Sequence, residues 1–129
     1  MRAMGTAAVL AWACLSAPAV LAGPMEKAFY MNTYYCAGAA AAYGERLGAS
    51  ASHRGAGRDA ERVAGKLKQI AQNYGRRQGY SESEGQRAEA QGRRTMAGLL
   101  PQNGAWSSGG NIPLEAFRQY KQCETIAEL

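Results

Sequence analysis

The chain has 129 residues and a formal charge of +5, with 15 Lys and Arg against 10 Asp and Glu, one histidine and three cysteines. Its length suits a single domain, and its positive excess is too mild to specify a nucleic-acid binder. One histidine and so few cysteines supply no ligand set at metal-binding spacing and no Cys-x-x-Cys-His haem attachment, so no cofactor is expected.

Residues 1–22 read as a secretory signal peptide. Arg2 gives a short positive start, Ala7 to Leu15 is apolar, Pro18 follows, and Val20-Leu21-Ala22 makes a small-x-small exit. Cleavage after Ala22 leaves one helical domain, 23–129, beginning Gly23-Pro24-Met25. It also removes Cys14, so Cys36 and Cys123 reach an oxidising compartment as a matched pair. The chain is expected in the periplasm or outside the cell. The alternative is an uncleaved anchor, since Thr6 to Ala22 is apolar enough to sit in a bilayer; Pro18 and the small residues before Gly23 favour cleavage. A lipoprotein attached through Cys14 would need a Leu-like residue where Ala11 stands.

The core has to be thin. After Ala22 there are twelve Leu, Ile, Val and Phe residues, about 11% of the remainder, together with fifteen glycines. Chains with less than roughly 20% of these large apolar residues approach disorder, so Ala and Tyr must supply the missing apolar area. A Cys36–Cys123 bridge closes a loop of nearly ninety residues. That constraint is worth about 4–5 kcal/mol against a typical total of about 5–15 kcal/mol. The alternative is two free thiols.

The periodicity predicts an all-α fold, a small four-helix bundle stapled between its first and last helices. The first helix covers about 25–47, with Phe29, Thr33, Cys36, Ala40, Tyr43 and Leu47 recurring at spacings of four and three. A small-residue connection over 48–57 holds His53. The second helix covers about 58–78, with a seam of Ala60, Val63, Leu67, Ile70 and Tyr74 and an opposite face of Arg58, Arg62, Lys66 and Gln69. Gly79 fits a left-handed cap. In the third helix Ser81 and Glu84 form a capping box, and Pro101 stops the helix. Its inner face of Gly85, Ala88, Gly92, Met96 and Leu99 either admits a close backbone or tyrosine ring, or leaves the helix frayed. A loop over 102–110 carries Trp106. The last helix, about 113–129, aligns Ala116, Tyr120, Cys123 and Ala127 beside Phe117, with Asn111 a candidate cap. Cys36 and Cys123 both fall on inward stripes, which makes the first and last helices neighbours.

No constellation of reactive groups emerges, and an enzyme is not expected. His53 is the sole candidate base, and Ser50 and Ser52 beside it lie in a stretch without rigidity. Glu124 and Glu128 sit at a helix C-terminus as solvated tail residues, while Glu82 and Glu84 serve capping and the helix dipole. Two surfaces remain as candidates for partner binding. One is the stripe Tyr30, Tyr34, Ala37 and Ala41, whose tyrosines either fill the core or offer ring edges to a protein partner; lying one step round the helix from the Phe29–Cys36 seam, they are expected to be partly buried with their ring edges available. The other is the basic face Arg58, Arg62 and Lys66, which is either solvated or meets an anionic lipid or glycan surface. Nucleic acid is not an expected partner, because export removes the chain from it. The sequence therefore points to an exported, non-enzymatic binder of another protein, with a charge-held envelope protein as the rival. Intact mass of the exported protein should place its first residue at Gly23, within about two positions. Full-length chain in the membrane fraction would replace cleavage with the anchor.

Overall fold

The computed structural model describes residues 18–102 and 110–128, and the side chains from Glu26 onwards. Four helices follow in order: α1 (Pro18–Gly48), α2 (Arg54–Gln78) after a single 3-10 turn at Ala51–His53, α3 (Glu82–Gly98) and α4 (Leu114–Ala127). No strand occurs among the described residues. The helix expected from about residue 25 begins instead at Pro18 and runs unbroken past Ala22. Proline is tolerated in the first turn, where its missing amide hydrogen would have no acceptor. The rest of the anticipated signal segment, 1–17, lies outside the described residues, as does Trp106.

α1 is the axis of the molecule. Thr33, Cys36, Ala40, Tyr43 and Leu47 of its expected seam are buried, and so are Tyr30, Tyr34 and Ala37 of the second stripe and Ala39 and Ala42 beyond them. A helix apolar on that many sides must be covered on several. α2 and α3 flank it along most of its length, and the shorter α4 covers part of a third side. Few of the side chains between these helices are large, so backbones come together instead. A Cβ on Gly38 would stand 1.9 Å from the Glu89 carbonyl oxygen, and one on Gly92 would stand 1.9 Å from that of Tyr35. On the other flank, a Cβ on Gly44 would lie 2.9 Å from the Gly57 carbonyl oxygen, and one on Gly57 would lie 2.8 Å from that of Gly44. Of the two expectations for α3, close approach is the one realised.

The same preference rotates α2. Gly57, Ala60, Ala64, Leu67, Ala71 and Gly75 form its buried line, while Val63, Ile70 and Tyr74 of the expected seam are only half-buried. Small residues let α2 sink onto α1, and the larger ones close the edges.

Local chemistry fixes the helix ends. Gly79 takes φ 73°, and the Tyr80 amide donates to the Gly75 carbonyl at 3.0 Å, ending α2 in a Schellman-type cap. Ser81 Oγ accepts from the Glu84 amide at 3.4 Å, one half of the expected capping box. The other half is not made, because the Glu84 carboxylate lies 2.7 Å from Lys27 Nζ on α1. At the far end of α3 the Arg46 guanidinium donates to the carbonyls of Leu100 at 3.3 Å and Pro101 at 2.8 Å, placing a cation where the helix dipole favours one. His53 Nε2 lies 2.8 Å from the Gly110 carbonyl oxygen, tying the α1–α2 connection to the chain entering α4. Asn111 does not cap α4: Pro113, with extended backbone (φ −56°, ψ 136°), precedes the first turn and offers no side-chain acceptor.

α4 buries Ala116, Tyr120, Cys123 and Ala127, the stripe read from the sequence. Tyr120 stacks on Tyr43 with centroids 4.4 Å apart and planes 2° from parallel. Burial keeps both hydroxyls protonated, pushed up to about 12. Beside this stack the Cys36–Cys123 disulfide joins α1 to α4 with Cα atoms 5.2 Å apart, across 87 positions of sequence. The fold is a small all-α four-helix bundle whose first and last helices are covalently linked. Reduction should lower the melting temperature by more than about 10 °C, since about 4 kcal/mol is spread over a domain of this size. Thermal melts of oxidised and reduced protein check it; coincident curves would remove the bridge from the stability account.

Candidate functional site

Tyr30 and Tyr34 were expected to sit partly buried with their ring edges available. Instead each is only 1% exposed. The missing side chains of Gly75 and Gly85 make room for the two rings. A Cβ at Gly75 would stand 2.4 Å from the Tyr30 ring, and one at Gly85 would stand 2.3 Å from that of Tyr34. The rings meet edge to face at 5.3 Å, and Tyr30 leans on Tyr80 at 5.1 Å. The Tyr30 hydroxyl donates to the Ser81 carbonyl at 2.8 Å. Burial raises the pKa of both phenols. Beyond them lies a recess of about 190 Å³, rimmed by Gln72, Arg76, Tyr80 and Glu82. That is smaller than the roughly 300–1,000 Å³ typical of ligand pockets. These tyrosines therefore fill a second apolar cluster at the α2–α3 end, with Ala71 between them and Met31, Tyr74, Tyr80 and Ala88 around it.

Arg58, Arg62 and Lys66 are exposed on the outer side of α2, and Arg62 is ion-paired with Asp59. The buried tyrosine cluster abuts the C-terminal end of α2, near Gly75, so the structure does not join the two anticipated groups into one surface. Cys36 and Cys123, by contrast, are brought together as expected.

A different surface stands out, one that the sequence reading did not assign. At 100° per residue, Ala28, Asn32 and Tyr35 lie on the side of α1 opposite the one that Gly44 presents to α2. α3 and α4 flank that side, leaving a groove floored by α1. Its α3 wall is lined by Ala88 and Gln91, with Met31 and Tyr35 half-buried on the floor, and this stretch is shallow and widely open, about 380 Å³ in volume. Its α4 wall is lined by Glu115, Gln119, Gln122 and Ile126, and encloses about 300 Å³ beside the disulfide. Asn32 and Tyr35 belong to both and make the groove continuous. Tyr35 was visible in the sequence as one of five aromatics on the first helix. What gave it no face was the helix being apolar nearly all round, so that only the positions of α3 and α4 decide which part stays uncovered.

Among the described residues, no group of three His, Cys, Asp or Glu side chains gathers to hold a metal ion, and no helix is long and apolar enough to cross a membrane. No protein-family model, curated protein or solved structure matches the chain. Replacing Tyr30 and Tyr34 together by Ala should unfold the protein, since each buried ring lost costs about 3–5 kcal/mol. Circular dichroism and urea melts check this; a double variant folding with near-native stability would return the pair to the surface.

Proposed function

We propose that the protein is an exported, non-enzymatic helical interaction protein, an accessory subunit, inhibitor or immunity-like binder, which recognises another protein in the periplasm or outside the cell. A disulfide at the heart of the fold suits an oxidising compartment. The observation that carries the reading is the groove over α1. Met31, Tyr35 and Ala88 each pack one side on the core and leave the other in this recess, with Ala28 exposed beside them. Tyr and Met are enriched at protein interfaces: Tyr offers area with a satisfied polar tip, and Met adapts its shape to a partner. Asn32, Gln91, Gln119 and Gln122 supply a mostly neutral polar surround that fixes register, with Glu115 the one carboxylate lining the α4 wall.

The test uses oxidised protein immobilised against an envelope extract, with Met31→Asp beside the wild type. The reading predicts one dominant retained species, identified by mass spectrometry, which survives moderate salt because the contact is apolar. The same species should fall at least tenfold on Met31→Asp, which puts an unpaired carboxylate at the centre of the contact. Equal retention by the variant, or release of the species by salt alone, would contradict it.

A further inference from the structure

The outer face of α2 is the most strongly charged surface of the described molecule and plays no part in the groove. Arg54, Arg58, Arg62, Lys66, Arg76 and Arg77 are all exposed. At 100° per residue they occupy one sector of about 140°, and the row extends about 35 Å along the helix. One carboxylate, Asp59, shares that sector, and it is paired with Arg62. Glu61 lies outside it, its Cγ 2.9 Å from where a Cβ on Gly44 would be. Arg62 pairs with Asp59, Arg76 rims the tyrosine recess and Arg77 stands 5.8 Å from the Tyr74 ring centre, whereas Arg54, Arg58 and Lys66 simply project outward. Lys68, the cation of α2 outside the sector, instead bridges to Glu89 on α3 at 3.3 Å.

A second observation lies on α4, which touches α2 as well as α1. Leu114 and Phe117 are 62% and 44% exposed, the exposed large apolar side chains of the described residues. Glu115, Gln119, Gln122 and Ile126 of α4 face the groove, so Phe117 occupies the opposite flank, towards α2. Glu124 of α4 and, more weakly, Asp59 and Arg62 of α2 act on the buried Tyr120 hydroxyl, one turn along from Phe117. The cationic row of α2 is thus bordered by two exposed apolar residues; Lys121, 5.9 Å from the Phe117 ring centre, is ion-paired with Glu124 at 2.6 Å on the same flank.

We propose that this face docks the protein peripherally on an anionic lipid surface, with the α2 cations over the headgroup phosphates and Leu114 and Phe117 at the headgroup–acyl boundary. Cations beside apolar residues on one amphipathic face are the interfacial-helix pattern. A soluble polyanion uses the cations and has no use for Leu114 and Phe117, which is why the lipid is the occupant named.

Co-sedimentation of the oxidised full chain with phosphatidylglycerol or phosphatidylcholine vesicles decides it. Binding should be confined to phosphatidylglycerol and weaken steeply with salt. Arg58→Glu with Lys66→Glu should lower the affinity by at least about tenfold, given the strength of each cation near a charged surface. Arg87→Glu with Arg94→Glu, an equal change of net charge on exposed positions of α3, should change it less than about threefold. Leu114→Asn with Phe117→Asn should lower it several-fold at constant charge. Equal losses from the α2 and α3 reversals would reduce the effect to net charge and overturn the proposal. So would absent binding at low salt, equal binding to phosphatidylcholine, or an unaltered Leu114/Phe117 variant. The α1 groove is untouched by the α2 and α4 variants, so failure of either leaves that reading standing.

Discussion

Backbone contact between α1 and its neighbours is the constraint from which the rest of the structure follows. Most small helical domains hold helices apart by 8–10 Å and fill the gap with Leu, Ile and Phe. This chain has few of them, and it removes the gap instead. Where Gly38 meets the Glu89 carbonyl, and Gly92 that of Tyr35, there is no room for a methyl group on either helix. Gly44 and Gly57 repeat the arrangement towards α2. Close approach multiplies weak dispersion contacts along the helices and excludes water without large side chains. Its cost is chain entropy, because glycine loses more freedom on folding than any other residue. A disulfide that restricts the unfolded chain answers that cost, which explains why one bridge spanning 87 positions suits a domain built this way.

The same constraint shapes the surface. With α2 and α3 drawn in on either side, α1 lies between its neighbours as an axis. The shorter α4 is fastened over part of the remaining arc by Cys123 and by the Tyr43–Tyr120 stack. What is left uncovered is a strip of α1 opposite α2, and it becomes the groove. The outer side of α2, turned fully away from α1, is free to carry charge. The two candidate surfaces therefore sit on opposite sides of one molecule, one nearly neutral and partly apolar, the other cationic.

Much of this was legible in the residues. The order of four helices, the Gly79 stop, the inward stripe of α4 and the pairing of Cys36 with Cys123 all follow from spacing and turn chemistry. Other features were hidden for identifiable reasons. Val63, Ile70 and Tyr74 outrank Ala64, Ala71 and Gly75 in hydrophobicity, so a pattern weighted by side-chain size misplaces the α2 seam by part of a turn. Tyr30 and Tyr34 could be assigned to core or surface only by knowing what stands opposite, and the answer is two glycines that contribute nothing to a hydrophobic pattern. The half-made capping box failed through a long-range competitor, Lys27, fifty-seven positions away from Glu84. The groove was invisible for the same reason as the tyrosine burial, because an uncovered face is a property of neighbours.

Equilibrium urea unfolding of Gly92→Ala beside Gly65→Ala tests the central claim most directly. Both replace a helical glycine, which in an open position stabilises by about 0.5–1 kcal/mol. Nothing lies within 4 Å of a Cβ at Gly65, whereas one at Gly92 would stand 1.9 Å from the Tyr35 carbonyl oxygen. The account predicts that Gly65→Ala gains about that amount and that Gly92→Ala loses at least about 2 kcal/mol, because α3 must back away from α1 along its length. A gain at both positions would contradict it, showing that the helices do not depend on backbone contact.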